Sequence, residues 1–253
     1  MNEIKESGFS VQKYRSILEM AIAEDYQIIT FDDLEGIGDD QKYCVLRHDV
    51  DADLSAASLL ASVESDLGVT STYFLMISSP VYNLFSRFSR RYVHEIIEKG
   101  HKIGLHFDAY NCHENDLRNK ILLEKEILEK MFAVKINVVS FHQPDRYIIE
   151  KQISLKDLKN TYNSNDMKQF KYISDSNMVW RSGRPDEIFK KKPYKNIQFL
   201  FHPMWWVYSN NKLNTNQVWN EVIRKNYENC QEQLVRFERA FGLKRTIEVK
   251  EIR

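Results

Sequence analysis

The stretch Tyr43-Cys44-Val45-Leu46-Arg47-His48-Asp49-Val50-Asp51 joins an apolar run directly to a group of ionisable residues. A short apolar run of this kind predicts a buried β-strand. Side chains alternate along an extended backbone, so Asp49 and Asp51 should point in the same direction. Two crowded carboxylates repel each other unless a proton or a cation lies between them. The stretch therefore predicts a strand that ends in a candidate metal site.

In such a site one carboxylate binds the metal, and the other is free to accept a proton from a water molecule. The alternative is an ordinary capped loop, because Asp53 and Ser55 could start the helix that follows. The pair of aspartates does not by itself decide between these interpretations.

The same pattern, an apolar run that ends in polar residues, recurs outward from this stretch. It is found at 71–76, 102–105, 136–141, 172–173 and 197–201. Segments with helical spacing of apolar residues lie between or beside these runs, at 11–24, 54–67, 92–99, 116–132 and 215–241. The alternation predicts an α/β fold with a mostly parallel sheet or barrel. In such folds the site forms at the carboxyl ends of the strands.

Histidines stand at the ends of three of these runs, namely His106, His142 and His202. Imidazole is a common ligand for zinc and similar metals. If the strands share one rim, the histidines can meet the two aspartates there. Together, although not singly, these residues favour a metal-dependent hydrolase.

The composition suits one catalytic domain over residues 1–253, with its motifs in 43–206 and a C-terminal helix at 215–241. The chain is 43% hydrophobic, which is enough for a large core. Lys and Arg number 36, as do Asp and Glu, so the net charge is zero and a nucleic-acid partner is not expected.

The sequence also bears on the compartment. The three cysteines are too scattered for a disulfide framework and fit reduced thiols: Cys44, Cys112 and Cys230. The first residues lack an apolar signal core, and no run is long enough to cross a membrane. We therefore expect a cytoplasmic protein without membrane insertion. No pattern predicts the oligomeric state.

Five motifs stand in a fixed order along the chain: Arg47-His48-Asp49-Val50-Asp51, Gly100-His101-Lys102-Ile103-Gly104-Leu105-His106, Ser140-Phe141-His142-Gln143-Pro144, Asp175 with Trp180, and Leu200-Phe201-His202-Pro203. In this order they resemble the motifs of NodB-like polysaccharide deacetylases, a carbohydrate esterase family, in a divergent branch. The resemblance covers roughly residues 43 to 206. It implies a distorted (β/α)7-type barrel and the removal of acetyl groups from sugars, usually with Zn²⁺.

The resemblance also implies roles for individual residues. Asp49 is similar to the family's general base, and His202 to the general acid that protonates the leaving nitrogen. Asp51 and His106 are similar to metal ligands. A further motif is similar to one that supports the site and walls the sugar pocket: Asp175 and Trp180.

The sequence departs from the family pattern in ways that concern the third metal ligand. Tyr110 stands where the second metal histidine is expected, and His142 stands in place of a motif arginine. We expect His142 to complete the metal site, with Asp108 or His113 as alternatives. His142 could instead hydrogen-bond Asp49, which is the role that the arginine usually has.

Several other side chains beside the motifs are candidates for substrate contact. Trp205 and Trp206 could stack on a sugar face, although core packing is the alternative for any large ring. Arg47 could bind an anionic group of the substrate, with a structural role as its alternative.

The predicted function is hydrolysis of the acetyl group of an N-acetylated sugar in a precursor of a surface polysaccharide, such as O-antigen or capsule. One alternative is a related amidohydrolase that acts on a non-acetyl amide. Another is a catalytically inactive member that binds glycan, motivated by Tyr110 and the missing arginine.

Overall fold

The computed structural model describes residues 8–110, 112–144, 148, 155, 158–162, 165–191 and 194–240. The strands form one sheet in which all pairings are parallel. They are β1 (Tyr26–Ile29), β2 (Lys42–Val50), β3 (Thr72–Leu75), β4 (Lys102–Asp108), β5 (Val138–His142), β6 (Lys159–Asn160), β7 (Lys171–Ser174) and β8 (Asn196–Phe201). Their order is β6-β5-β4-β3-β2-β8-β7, and β1 pairs with the first half of β2.

Helices connect and cover the strands, as parallel pairing requires. They are α1 (Val11–Ala23), α2 (Leu54–Asp66), α3 (Arg87–Glu98), α4 (Glu114–Phe132), α5 (Pro185–Lys191), α6 (Pro203–Ser209) and α7 (Thr215–Ala240). The Asp53 side chain caps α2 by accepting from the N–H groups of Ser55 and Ala56. No helix in the described parts of the chain has the length and apolar character that a membrane crossing needs.

The two faces of β2 have different environments. Tyr43 and Val45 pack in a cluster with Phe74 and Val138 from two other strands. The alternate residues of β2 belong to the larger clusters that include the helices: Cys44, Leu46 and Val50. The strand is therefore buried on both faces, with one face inside the curled sheet and the other under the helices.

In the described part of the chain, two aromatic side chains bring the ends of the strand order together. Tyr162 follows β6 and Tyr172 lies on β7, at opposite ends of the strand order, yet their ring centroids are 6.4 Å apart. In a flat sheet strands lie about 4.8 Å apart, so its two edges could not meet. The α/β fold is thus a distorted barrel in which seven strands are neighbours along the sheet, and β1 pairs with β2 beside them. Within the described residues β6 and β7 share no ladder.

A close contact inside the barrel depends on a glycine. Gly104 lies on β4 opposite Phe74 of β3, and a Cβ at this position would stand 2.6 Å from the Phe74 ring. Such a distance is well inside van der Waals contact. The absence of a side chain at Gly104 is what lets the phenyl ring fill the barrel.

We predict that Gly104→Ala destabilises the protein by about 1–3 kcal/mol, since an extra methyl group overpacks the interior. Urea unfolding measures the change. Gly36→Ala is the matched control, because a Cβ there meets nothing within 4 Å. Equal stability of the two variants would contradict the packing argument.

A buried polar cluster joins α1 and α2 to the outer face of the barrel. Glu64 of α2 is fully buried and accepts hydrogen bonds from the hydroxyls of Tyr14, Ser71 and Tyr73. Its Oε1 also lies 2.7 Å from His48 Nε2. Burial raises the pKa of Glu64, but His48 and the other partners outweigh it and lower the value to about 2. Glu64 is therefore a charged residue that the helices retain in the core.

This shift predicts a specific acid dependence of stability. A depressed carboxyl pKa stabilises the fold above the unfolded value of 4.5, and the stabilisation is lost as pH falls toward about 2. In Glu64→Gln we expect the loss of about 3 kcal/mol at neutral pH, and a weaker pH dependence between those two values. Unfolding by urea at a series of pH values measures both. A pH slope in the variant as steep as in the parent protein would refute the assignment.

Candidate metal centre and active site

The ends of four strands bring the predicted site residues together at one rim of the barrel. Asp49 lies on β2 and Asp51 directly after it, His106 lies on β4, His142 ends β5, and His202 follows β8. Because parallel strands end at the same edge, residues far apart in sequence meet there. They line one pocket of about 310 Å³.

Three of these residues have the arrangement of a metal-binding set. Asp51 Oδ1 is 3.1 Å from His106 Nε2 and 3.4 Å from His142 Nδ1. The potential ligand atoms of the three residues all lie within 4.8 Å of one another. Ligands at about 2.0–2.2 Å from a tetrahedral zinc ion are separated by roughly 3.4 Å. The three side chains therefore fit around one ion with little movement.

The state of Asp51 also fits a metal ligand. Its Oδ1 atom is buried and has no hydrogen-bond partner among the described residues. Burial raises its pKa, but the neighbouring histidines outweigh this and hold the pKa well below its usual value. An ionised carboxylate oxygen that lies between two imidazoles without a well-aligned hydrogen bond is a ligand atom suited to a divalent cation.

Ser140 connects the candidate ligand His106 to Asp49. His106 Nδ1 lies 2.6 Å from Ser140 Oγ, which lies 3.5 Å from Asp49 Oδ1. If His106 Nδ1–H donates to the serine, its Nε2 lone pair faces Asp51 and is free for a metal. Sequence reasoning missed Ser140, although its place two residues before His142 on β5 puts it on the same face.

The carboxylate of Asp49 is held by Arg47 from the same strand. Arg47 Nε donates to Asp49 Oδ1 at 2.8 Å, and its Nη2 donates to Oδ2 at 2.7 Å. Burial raises the pKa of Asp49, but the guanidinium outweighs it and keeps the pKa low. Asp49 is thus ionised and oriented, as a proton acceptor must be.

This pairing corrects the expectation that Arg47 binds a substrate anion. The Arg47 side chain has no exposed surface, and its remaining donors reach Thr161 and Tyr162. Arg47 also donates the hydrogen bonds to Asp49 that were the alternative role expected for His142. His142 lies against Asp51 instead.

His202 is held from behind by Asp175. His202 Nδ1 is 2.6 Å from Asp175 Oδ1, and Trp206 Nε1 donates to Asp175 Oδ2 at 2.7 Å. Burial lowers the pKa of His202, but Asp175 outweighs it and raises the value to about 9. His202 is therefore protonated at neutral pH, and its Nε2 lies 3.7 Å from Asp51 Oδ2 on the pocket side.

The two residues of the motif expected to wall the sugar pocket do not contact it. Asp175 is fully buried, so it positions His202 and does not bind substrate. Trp180 stacks on Phe9 with ring centroids 5.8 Å apart and packs against Trp206 on the outer side of the barrel. Both expectations of substrate contact are corrected by this geometry.

The pocket walls are mainly aromatic and apolar. Trp205 lines the pocket, whereas Trp206 is buried and does not line it. Further lining residues were not singled out from the sequence: Tyr162, Tyr172, Asn177 and Trp219. Tyr162 and Trp219 come from segments without a strand-end pattern, so no local signal points to them.

The alternative metal ligands lie outside the metal-binding set. Asp108 Oδ1 accepts from the Tyr110 N–H at 2.9 Å, and His113 is exposed at the start of α4. Among the described residues only Asp51, His106 and His142 form a group that could hold an ion.

Comparison with known proteins gives similar folds at low identity. No family model and no curated protein matches the sequence. The peptidoglycan deacetylase PdaC from Bacillus subtilis is 11% identical with a TM-score of 0.45, over 81% of this chain and 99% of that one. IcaB from Ammonifex degensii is 17% identical with a TM-score of 0.43, over 52% and 66%. BA3943, a CE4 family pseudoenzyme from Bacillus anthracis, is 12% identical with a TM-score of 0.43, over 76% and 63%.

We predict that His142→Ala lowers bound zinc from about one ion per chain to a small fraction, since two protein ligands hold the ion weakly. Elemental analysis after dialysis against zinc-containing buffer measures the content. His113→Ala is the matched control and should keep the metal. Loss of zinc from the control but not from His142→Ala would assign the third ligand to His113.

Proposed function

We propose that this chain is a metal-dependent deacetylase that hydrolyses the amide of an N-acetylated sugar. The observation that carries the proposal is the set Asp51, His106 and His142, with Asp49 and His202 lining the same pocket. Asp49 is ionised and His202 is protonated, so the pocket holds a base and an acid in opposite charge states. Amide hydrolysis needs both at once.

The three-residue set would hold a divalent metal, for which Zn²⁺ is our choice because of its two imidazole ligands. When bound, such an ion supplies polarisation of the acetyl carbonyl and acidification of a water molecule. Asp51 contributes the negative charge of the ligand set. Ser140 fixes the orientation of His106, which keeps the ligand nitrogen directed at the site.

Asp49 is the general base of the proposed reaction. Asp49 accepts a proton from the water molecule while the oxygen of that water bonds to the acetyl carbon. Arg47 holds both carboxylate oxygens, so the carboxylate cannot rotate away from the attacking water. Geometry of this kind contributes to rate by removing the entropy of orientation.

His202 is the general acid. It donates its Nε2 proton to the sugar nitrogen as the bond between carbon and nitrogen breaks, because an amine leaves poorly while unprotonated. Asp175 stabilises the charged imidazole and fixes the Nδ1 proton on the far side of the ring. The products are acetate and the free amino sugar.

The pocket walls support a sugar as the substrate. Tyr162, Tyr172, Trp205 and Trp219 provide ring surfaces, and Asn177 adds a polar group at the rim. Aromatic rings pack on the apolar faces of sugar rings while the hydroxyls meet polar groups. We further propose that the sugar belongs to a precursor of a surface polysaccharide, such as O-antigen or capsule, that is modified in the cytoplasm.

The direct test is release of acetate or formate from a panel of N-acetylated and N-formylated sugars by the zinc-loaded protein. Acetate release would support the proposal. Release from formylated compounds alone would point to the related amidohydrolase. Sugar binding without any turnover would identify an inactive, glycan-binding protein and overturn the proposal.

We predict that Asp49→Asn and His202→Ala each lower kcat by about 10²–10⁴-fold, the usual contribution of a general base or acid. Both variants should keep their zinc, because neither residue belongs to the ligand set. Asp108→Asn is the matched carboxylate control and should retain turnover. Kinetics and elemental analysis on the same preparations measure the two effects. If the loss of activity followed the loss of zinc, the separate roles would be wrong.

A further inference from the structure

The buried carboxylate of Asp175 contacts two different side chains, one at each oxygen. Its Oδ1 atom lies 2.6 Å from His202 Nδ1, and its Oδ2 atom accepts from the Trp206 indole N–H at 2.7 Å. Both oxygens also lie within 3.1 Å of the His202 backbone nitrogen. Because the indole binds one oxygen, the carboxylate meets the imidazole in a fixed orientation. Trp206 therefore holds the group that holds His202.

The local sequence brings the indole and the imidazole to the same carboxylate. His202 is the N-cap residue of α6, and Trp206 follows it by four residues, which is about one helical turn. Side chains at this spacing lie on one side of a helix. The neighbouring Trp205 lines the site pocket, whereas Trp206 is buried. One turn of α6 thus carries the proposed acid, a wall of the pocket and the support of Asp175.

Trp206 is itself fixed by aromatic residues on the outer side of the barrel. Its ring centroid lies 4.7 Å from that of Phe9, 5.5 Å from those of Tyr14 and Phe201, and 6.1 Å from that of Trp180. We call these five residues the aromatic cluster. Packing explains why a large ring is buried, but it does not explain why the indole N–H is directed at a carboxylate. Hydrogen bonds to carboxylates are among the stronger ones in proteins.

We propose that Trp206 is a positioning residue for the proposed general acid. Its N–H fixes Asp175, Asp175 fixes the imidazole of His202, and the Nε2 atom of that imidazole is thereby kept on the pocket side. This inference rests on the proposed function, because it concerns the proton that His202 donates to the leaving nitrogen. Trp206 acts through Asp175 and has no contact with the substrate in this proposal.

The position of the acid affects the reaction of some leaving groups and not of others. The nitrogen of an amide must gain a proton as the bond between carbon and nitrogen breaks. In 4-nitrophenyl acetate the leaving oxygen departs as a stable phenolate anion, so no proton has to be donated to it. Attack on its acetyl carbon needs only the activated water and Asp49. A displaced His202 therefore slows amide hydrolysis and leaves hydrolysis of this ester unchanged.

Trp206→Phe in the full-length, zinc-loaded protein tests the proposal, because phenylalanine keeps an aromatic ring in the core and has no N–H. The substrates are an N-acetylated sugar and 4-nitrophenyl acetate. We expect kcat for the sugar to fall by about 10–100-fold, which is part of the contribution of a general acid. KM, the bound zinc and kcat for the ester should each stay within about twofold. The ester hydrolysis that counts is the part that Asp49→Asn removes.

Replacement of Trp206 by benzothienylalanine gives a second variant, in which sulfur takes the place of the indole N–H and the ring keeps its size. This variant separates loss of the hydrogen bond from loss of packing, and it should slow the amide reaction in the same way. Trp180→Phe is the matched control, since it is the same substitution within the aromatic cluster. Among the described residues, the Asp175 carboxylate accepts from His202 and Trp206, so the control should keep both activities.

Three results would overturn the inference: an unchanged kcat for the sugar in both Trp206 variants, an equal loss with sugar and ester, or an equal loss in Trp180→Phe. An equal loss with both substrates would mean that Trp206 only supports the fold.

Activity of the parent protein separates this inference from the proposed function. Acetate release from the sugar that both Trp206 variants retain would remove the positioning role and leave the deacetylase proposal standing. No acetate release by the parent protein from any N-acetylated sugar would remove the deacetylase proposal and the positioning role together.

Discussion

The ion pair between Arg47 and Asp49 is the interaction on which the interior of the barrel depends. A guanidinium with no exposed surface is costly unless it is paired, and Asp49 pairs it with two hydrogen bonds. Phe74 lies beneath the guanidinium at 5.4 Å, in the space that Gly104 leaves free. The packing of Phe74 against Arg47 and the hydrogen bonds of Arg47 therefore both help to fix the position of the Asp49 carboxylate. Asp49, the proposed base, is therefore oriented by buried neighbours.

The pairing of Arg47 with Asp49 also bears on the position of His142. His142 stands where the resemblance noted in the sequence leads us to expect an arginine. In the structure a guanidinium reaches Asp49 from two residues upstream on the same strand, and His142 lies beside Asp51 and His106. His142 therefore belongs to a group of three residues that could hold a metal ion.

Much of the fold could be predicted because its signals are periodic. Repeated apolar runs separated by helices indicated a parallel α/β barrel, and the parallel strand pairing confirms it. The two-residue alternation likewise placed Asp49 and Asp51 on one face. Such periodic signals do not predict where the side chains of Arg47 and Trp180 lie. Arginine is seldom fully buried, so the sequence does not predict that Arg47 lies inside the barrel and pairs with Asp49. Trp180 follows two left-handed residues, Asn177 and Met178, which redirect the chain after Asp175.

The closure of the barrel by Tyr162 and Tyr172 has a mechanical consequence. Hydrogen-bonded strands can close a barrel only at a fixed stagger, which ties its diameter to strand number and tilt. Contacting rings impose no such stagger, because aromatic pairs tolerate a range of separations and angles. Among the described residues, the distance between β6 and β7 is therefore not tied to a hydrogen-bond register. Both rings also line the pocket, so the width of the opening that admits a ligand is set by side-chain size and not by the ladder.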